Sequence, residues 1–223
     1  MKKKNKKALH KIFYGKGYKN LYKGISGFFF KDAHRKLEID IPENHSYKIL
    51  EIGPGMFPHH SYISDTKIDK YYFFEKNKAS VKFLKKKYKN NNKINIIDNL
   101  ENYNFLFDRI ILSHVLEHIH DPEAFLNKVY KKLKKNGYMS ITLPCDPGLL
   151  WDIGREFTFY NYWKKNKILK EEYYFHMSLE HVNSVRNLRR ILQYKYNVIK
   201  ETFLPFKIKI FGLNLFYNVT IQK

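Results

Sequence analysis

Three places in the chain combine residue types and spacing that can do chemistry. The first is Gly53-Pro54-Gly55, which closes the apolar run Tyr47–Ile52 (YKILEI) just after Glu51. Glycines at a strand end let the backbone approach a ligand closely. Two further apolar runs end in carboxylates: Tyr71–Glu75 (YYFFE), and Ile94–Asp98 (INIID) followed by Asn99. Glu75 can accept from a pair of sugar hydroxyls, and Asp98 with Asn99 from the amino group of an adenine. A glycine turn alone is a weak sign. Strand ends carrying Gly, Glu and Asp in that order are more specific.

The second place is Ser113-His114-x-x-Glu117-His118, at the end of the run Asp108–Ser113 (DRIILS). Its H-x-x-E-H spacing matches that of some zinc proteases, where it lies on a helix and needs a distant third ligand. Here it follows a strand end, and Asp121-Pro122 opens a new helix. The run also resembles one in some quinone-biosynthesis O-methyltransferases that carry Glu in the place of His114, which implies a divalent metal; imidazole there argues against Mg²⁺, which favours oxygen ligands. No metal is assigned, and Glu117 and His118 are read as packing and hydrogen-bonding beneath the site.

The third place lies beyond Pro144 and holds Asp146, Trp151, Arg155, His176 and His181. Arg155 is suited to gripping a phosphate or carboxylate, or to an ordinary salt bridge. Trp151 and Trp163 can form a lid or pack the interior. His181 precedes Asn183-Ser184, a helix start, so it either supports that cap or acts as a base. His114, His176 and His181 are all candidate bases, because imidazole is the side chain whose ordinary titration lies nearest neutrality.

The elements that must position these residues alternate. The strand-like runs above are joined by helical patterns over Ala79–Tyr88, with Val81, Phe83, Leu84 and Tyr88 in phase, and over Pro122–Lys135. In the second of these, Asp121 is the N-cap, Phe125, Val129 and Leu133 face the core, and Gly137 is the stop. A fifth strand spans Tyr138–Leu143, a helix spans Ser184–Tyr194, and Asn197–Leu204 with Leu213–Ile221 forms a terminal antiparallel pair. Strands alternating with helices predict a parallel sheet covered on both faces. In such sheets ligands bind at the carboxyl ends of the strands. Residues 1–43 read as a basic, aromatic helical cap, residues 44–223 as the main domain, and about 145–182 as an aromatic insertion.

Composition limits the alternatives. The 223 residues are enough for one domain with an inserted lobe, and 43% of them are hydrophobic, so a packed core is expected. The single cysteine, Cys145, excludes a disulfide framework and suits a reducing cytoplasm. No apolar run approaches the length of a membrane span. The net charge of +21 admits two readings. An AT-rich codon usage would raise Lys, Asn, Ile, Tyr and Phe together, but it would raise Asp and Glu as well. Part of the excess is therefore assigned to an acidic or phosphorylated partner, or to an anionic inner-membrane surface on which the N-terminal segment can lie.

The run ILEIGPG (Ile49–Gly55) resembles motif I of the class I S-adenosylmethionine-dependent methyltransferases (type 11/23-like). SHVLEHIHDPEAFL (Ser113–Leu126) resembles the segment after strand four of the same family. The resemblance implies a Rossmann-like seven-stranded α/β sheet, mostly parallel, with a C-terminal antiparallel hairpin and helices on both faces. It implies S-adenosyl-L-methionine as cofactor: Glu51, Gly53 and Gly55 on the methionine half, Glu75 on the ribose, Asp98 on the adenine and His114 beside the sulfonium, with Asn99 and Ser113 as further cofactor-binding candidates. The segment beyond strand five, with Asp146, Trp151, Arg155 and His176, would border the acceptor as a lid. Two departures stand out: Phe57 replaces a common third glycine, and Pro58–Lys67 is too short for a full first helix.

The cofactor of this family brings the electrophile, so the protein must align the acceptor and exclude water. The implied reaction is O-methylation of a small molecule or glycan intermediate, with His114 and His181 as catalytic candidates. An RNA substrate is the rival reading, motivated by the charge; no appended RNA-binding module and no Asn/Asp-Pro-Pro-type motif support it. A second rival is an adaptor that binds the cofactor or a membrane surface without catalysis.

Overall fold

The computed structural model describes Leu9 and residues 23–39, 41–42, 45–165 and 167–223. Most of the expected basic N-terminal tip, including Lys2 to Lys7, lies outside the described residues. Seven strands form one sheet in the order β3-β2-β1-β4-β5-β7-β6. They are β1 (Tyr47–Ile52), β2 (Ile68–Phe74), β3 (Ile94–Ile97), β4 (Phe107–Ser113), β5 (Leu133–Pro144), β6 (Val198–Leu204) and β7 (Phe216–Gln222). Neighbours in the first five pair parallel, and β7 runs antiparallel to both β5 and β6. This is the expected Rossmann-like arrangement.

Alternation along the strands explains how both faces are covered. Leu50, Ile110, Leu112 and Met139 point to one face, where Leu126 and Val129 of α3 (Pro122–Lys131) and Leu188 and Leu192 of α7 (Val185–Lys195) bury them. Ile49, Tyr71, Phe73 and Ile111 point to the other, under Leu37 of α1 (Gly24–Glu38) and Leu84 of α2 (Lys78–Lys87). The caps are local. Asn77 accepts from Ala79 and Ser80 N–H, Asp121 from Ala124 N–H, and Ser184 from Asn187 N–H.

Three sequence expectations shift. Helix α3 ends at Lys131 instead of Lys135, because Leu133 is taken into the sheet opposite Phe107. Gly137 is not its stop. A Cβ there would lie 2.9 Å from the carbonyl oxygens of Asp108 and Lys134, so glycine is needed where two backbones crowd. Phe125 is only half-buried, and Leu126 takes the core position.

Between β1 and β2 the chain makes two 3₁₀ turns, His59–Tyr62 and Asp65–Lys67, where a longer segment would make a crossover helix. Helix α1 lies against the first of these turns and against β5 and β7. Its end is tied down by charge. Glu38 pairs with Arg109 of β4 at 2.6 Å and with His59 Nε2 at 2.5 Å. Burial would raise the Glu38 carboxyl, but Arg109 and His59 outweigh it and hold the group at about 2. Arg109 itself is 1% exposed and donates to Ser140 Oγ.

Residues 145–182 fold as helices: α4 (Leu149–Gly154), a π-helical stretch (Arg155–Tyr160), α5 (Asn161–Lys165) and α6 (Lys170–Glu180). Trp163, Ile168, Tyr173 and Met177 enclose a small core of their own with Leu9. Trp151 packs with Phe30 and Ala33 of α1 and with Leu204 and Phe216. The insertion's tryptophans are thus interior residues that tie it to the N-terminal segment and to the sheet. No helix among the described residues is long and apolar enough to cross a membrane.

Candidate functional site

The carboxyl ends of β1, β2 and β4 meet around the glycine turn. Gly53 and Gly55 adopt φ of +66° and +56°, a region costly for any residue with a Cβ. A Cβ on Gly53 would also lie 3.0 Å from Val115 Cγ2. The turn is latched to β2: Gly53 N–H donates to Phe74 O, and Gly55 N–H donates to the Glu75 carboxylate at 2.9 Å. The other Glu75 oxygen accepts from Asn77 N–H at 2.7 Å. Glu75 therefore joins the glycine turn to the cap of α2, and as a half-buried carboxylate it has lone pairs left for a further donor. Asp98 and Asn99 are exposed just past β3, and Asn99 Oδ1 accepts from Glu101 N–H.

Glu51 does not share this surface. It is 1% exposed, and its carboxylate accepts from His59 N–H, His60 N–H and the Tyr71 hydroxyl. Burial drives its pKa up to about 7 despite those donors. The contact with a ligand's methionine half expected for Glu51 is thus replaced by a supporting one, beneath the turn that precedes β2. Sequence proximity to the glycines hides this, because adjacent strand residues point to opposite faces.

At the end of β4 the Ser113 hydroxyl is buried with no hydrogen-bond partner among the described residues. His114 follows in a left-handed conformation, φ +56°, with its N–H on Thr142 O. A non-glycine residue held there marks a site whose geometry the surroundings impose. The ring lies between Phe30 at 5.2 Å and Phe216 at 5.3 Å, its Nδ1 is 3.5 Å from Glu117, and its buried Nε2 has no hydrogen-bond partner among the described residues. Phe30, from α1, is a wall of this site that sequence reading does not single out.

Next to His114 lies a second group, drawn from three separate segments. The short 3₁₀ turn Leu116–His118 carries Glu117 and His118. The turn after α6 carries His181, and the loop after β5 carries Asp146. Backbone bonds clamp them together: Val182 and Asn183 N–H donate to Glu117 O, Asn183 Nδ2 donates to Leu116 O, and Val185 N–H donates to Asp146 O. His181 Nδ1 lies 2.6 Å from Asp146 Oδ2, and Arg155 also donates to that carboxylate. Burial pushes the Asp146 carboxyl up, but His181 and Arg155 more than offset it and hold it below the usual range. His118 Nδ1 lies 2.7 Å from Glu180 O, and its ring is 5.1 Å from that of His181. Glu117 is 2% exposed; here too burial raises the carboxyl, and His114, His118 and His181 bring it below the usual value. Glu117, His118 and His181 each place one ligand-type atom within 4.8 Å of the others.

Three expected acceptor contacts are placed elsewhere. His176 is fully buried inside the insertion, 5.6 Å from the Trp163 ring. The Arg155 guanidinium is buried and engaged by Asp146, 5.7 Å from the Trp151 ring, so of its two readings the ion pair is the one present, and it orients the Asp146–His181 pair. Trp151 is likewise 6% exposed and faces α1 and β7. The pairing of Asp146 with His181 spans 35 residues and that of His118 with Glu180 spans 62, separations that no local motif reports.

A methyltransferase-domain family model (Methyltransf_23) matches residues 27–194. Among curated proteins none matches the chain. Many solved structures share the fold. The N-methyltransferase NodS from Bradyrhizobium japonicum WM9, in complex with S-adenosyl-L-homocysteine, aligns over 99% of this chain and 99% of its own, with TM-score 0.66 and 12% identity. The plantazolicin methyltransferase BpumL, in complex with a pentazolic desmethylPZN analog and S-adenosyl-L-homocysteine, aligns over 98% and 95%, with TM-score 0.64 and 16% identity. The [4+2]-cyclase SpnF aligns over 86% and 80%, with TM-score 0.59 and 10% identity. With the family model spanning most of the chain and the sheet order, glycine turn and strand-end carboxylates in place, the chain belongs to the methyltransferase-domain family and is a class I enzyme that uses S-adenosyl-L-methionine.

Proposed function

We propose that the enzyme methylates an oxygen of a small-molecule or glycan acceptor. The observation that carries this reading is the His181–Asp146 pair beside His114, at the strand ends next to the glycine turn. An acceptor hydroxyl must lose its proton, and oriented imidazoles are suited to that work. The backbone of Gly53 and Gly55 admits the methionine part of the cofactor, Glu75 takes the ribose hydroxyls, Asp98 and Asn99 face the adenine, and Ser113 and His114 lie by the sulfonium. Glu51 supports the turn from below. Asp146 holds the His181 Nδ1–H, so that Nε2 meets the acceptor, and His114 takes the proton. In the transfer the S–CH₃ bond breaks as the O–CH₃ bond forms, and the electron pair stays on sulfur to leave S-adenosyl-L-homocysteine.

The helices of residues 145–182 act as the acceptor-side wall, with Trp151 and Arg155 bracing it from within. The +21 charge favours an acidic or phosphorylated acceptor, or one presented at an anionic membrane surface inside the cell. The neighbour named as an N-methyltransferase makes the acceptor atom the point to test. Cell extract incubated with the enzyme and S-adenosylmethionine carrying a ¹³C methyl group should yield a product whose new methyl carbon resonates as O–CH₃. An N–CH₃ or C–CH₃ product would overturn the oxygen assignment.

A further inference from the structure

We propose that Glu117, His118 and His181 bind a divalent transition-metal cation, and that the acceptor oxygen is ligated to it. This deepens the oxygen-acceptor reading above and rests on it for the role of the ion, though not for its binding.

The argument begins with tautomers. His118 Nδ1 faces a backbone carbonyl, Glu180 O, and His181 Nδ1 faces the Asp146 carboxylate. Arg155 Nη2 also lies 3.4 Å from His181 Nδ1, but the much shorter contact there is to the Asp146 carboxylate, which accepts; with each Nδ1–H given to its accepting partner, each Nε2 is left with the lone pair. An imidazole whose second nitrogen is fixed by a carbonyl or a carboxylate is the usual state of a metal-ligating histidine. The supporting groups are themselves held: Asp146 by Arg155, and the two turns by Asn183 and the bonds to Glu117 O.

The carboxylate supplies an independent sign. Glu117 is almost wholly buried, and its Oε2 has no hydrogen-bond partner among the described residues. Oε1 lies 3.5 Å from His114 Nδ1 and 3.9 Å from His118 Nε2. A buried carboxylate oxygen with no donor is costly. A cation satisfies it together with the two lone pairs. Ligands of one ion at about 2.1 Å sit roughly 3.0–3.5 Å from each other. The three ligand atoms lie within 4.8 Å of one another, with His118 Nε2 3.9 Å from Glu117 Oε1, so binding would draw them together by about 1 Å.

Two imidazoles and one carboxylate suit Zn²⁺, Fe²⁺, Mn²⁺ or Co²⁺ and leave positions open for oxygen. Mg²⁺ and Ca²⁺ prefer oxygen ligands throughout. The ion takes the place of the direct contact between His181 and the acceptor, and its charge makes the bound hydroxyl easier to deprotonate. His114, bonded to none of these ligand atoms within normal distance, remains the proton acceptor. The role differs from the packing role that sequence reading gives Glu117 and His118.

The test uses the full, tag-free chain dialysed against chelator and then titrated with Co²⁺, followed by visible d–d absorption, with Zn²⁺ competition as a second arm. One Co²⁺ per chain is expected, displaced by Zn²⁺. His118→Ala and Glu117→Gln should each weaken Co²⁺ binding at least tenfold. The near-isosteric glutamine guards against loss of fold, as does S-adenosyl-L-homocysteine binding measured on the same samples. No stoichiometric Co²⁺ in the wild type, or variants that bind Co²⁺ as the wild type does, overturns the proposal. Homocysteine-nucleoside binding without Co²⁺ binding removes the metal site alone. Failure of the wild type to bind that nucleoside would instead remove the methyl-transfer reading.

Discussion

The two halves of the proposed site are built differently. The half proposed to hold the cofactor, at the tips of β1 to β3, is mostly backbone: two glycines with positive φ, of which Gly55 is latched to Glu75 twenty residues away. The half proposed to face the acceptor, at the ends of β4 and β5, is side chains brought together from separate segments, with His181 on Asp146, His118 on Glu180 O and Asn183 on Leu116 O. A half that binds a cofactor shared across a family can be written into one short stretch and two strand ends. A half that chooses an acceptor depends on how an insertion packs back, and each new insertion makes it afresh.

The division can be broken by substitutions confined to one half. The largest effect is expected from Gly53→Arg. At φ +66°, and with Val115 Cγ2 only 3.0 Å from where a Cβ would stand, any side chain must turn into ligand space. Calorimetry should show no binding of S-adenosyl-L-homocysteine while far-UV circular dichroism is retained; near-normal affinity would place the cofactor elsewhere.

Glu51→Gln tests the support beneath the turn. The buried Glu51 titrates at about 7, well above an unfolded glutamate near 4.5. Between those values the unfolded chain binds fewer protons than the folded one, so stability falls as pH rises through the window. The contribution is fully present below about pH 4.5 and lost by pH 7, worth about 3 kcal/mol. Urea unfolding at pH 5 and pH 8 should show the wild type losing most of that, about 2.5 kcal/mol, relative to Glu51→Gln. Parallel pH profiles would mean that the buried carboxylate is ionised throughout.

Glu75→Ala should weaken cofactor binding by about 2 kcal/mol, roughly thirtyfold, with turnover at saturating cofactor little changed. An unchanged binding constant would move the ribose contact away from β2. Asp146→Asn should do the reverse, lowering turnover about tenfold while cofactor affinity stays within error. If it altered affinity as much as Glu75→Ala does, the two halves would not be separate.

Much of the sheet is legible in the sequence, because its strands are short apolar runs ended by Gly, Asp or Glu, and its helices carry local caps at Asn77, Asp121 and Ser184. The end of α3 is not, since Leu133 keeps helical phase with Val129 yet pairs with Phe107. In the site, Gly53, Gly55, Glu75 and His114 stand where their strand ends imply. Glu51 does not, as one step along a strand turns a side chain to the other face. His176 is interior and Arg155 takes the salt-bridge side of its two readings, since composition marks the segment as aromatic without saying which residues are interior. The grouping of Glu117 and His118 with His181 is beyond any local pattern, for it depends on bonds between turns more than 60 residues apart.

The most direct measurement is a crystal structure of the protein grown with S-adenosyl-L-homocysteine. The expected result is the nucleoside lying over Gly53–Gly55, its ribose hydroxyls on Glu75, its base by Asp98 and its sulfur toward His114. A ligand bound elsewhere, or a ribose that leaves Glu75 bonded only to Gly55 and Asn77 N–H, would contradict it.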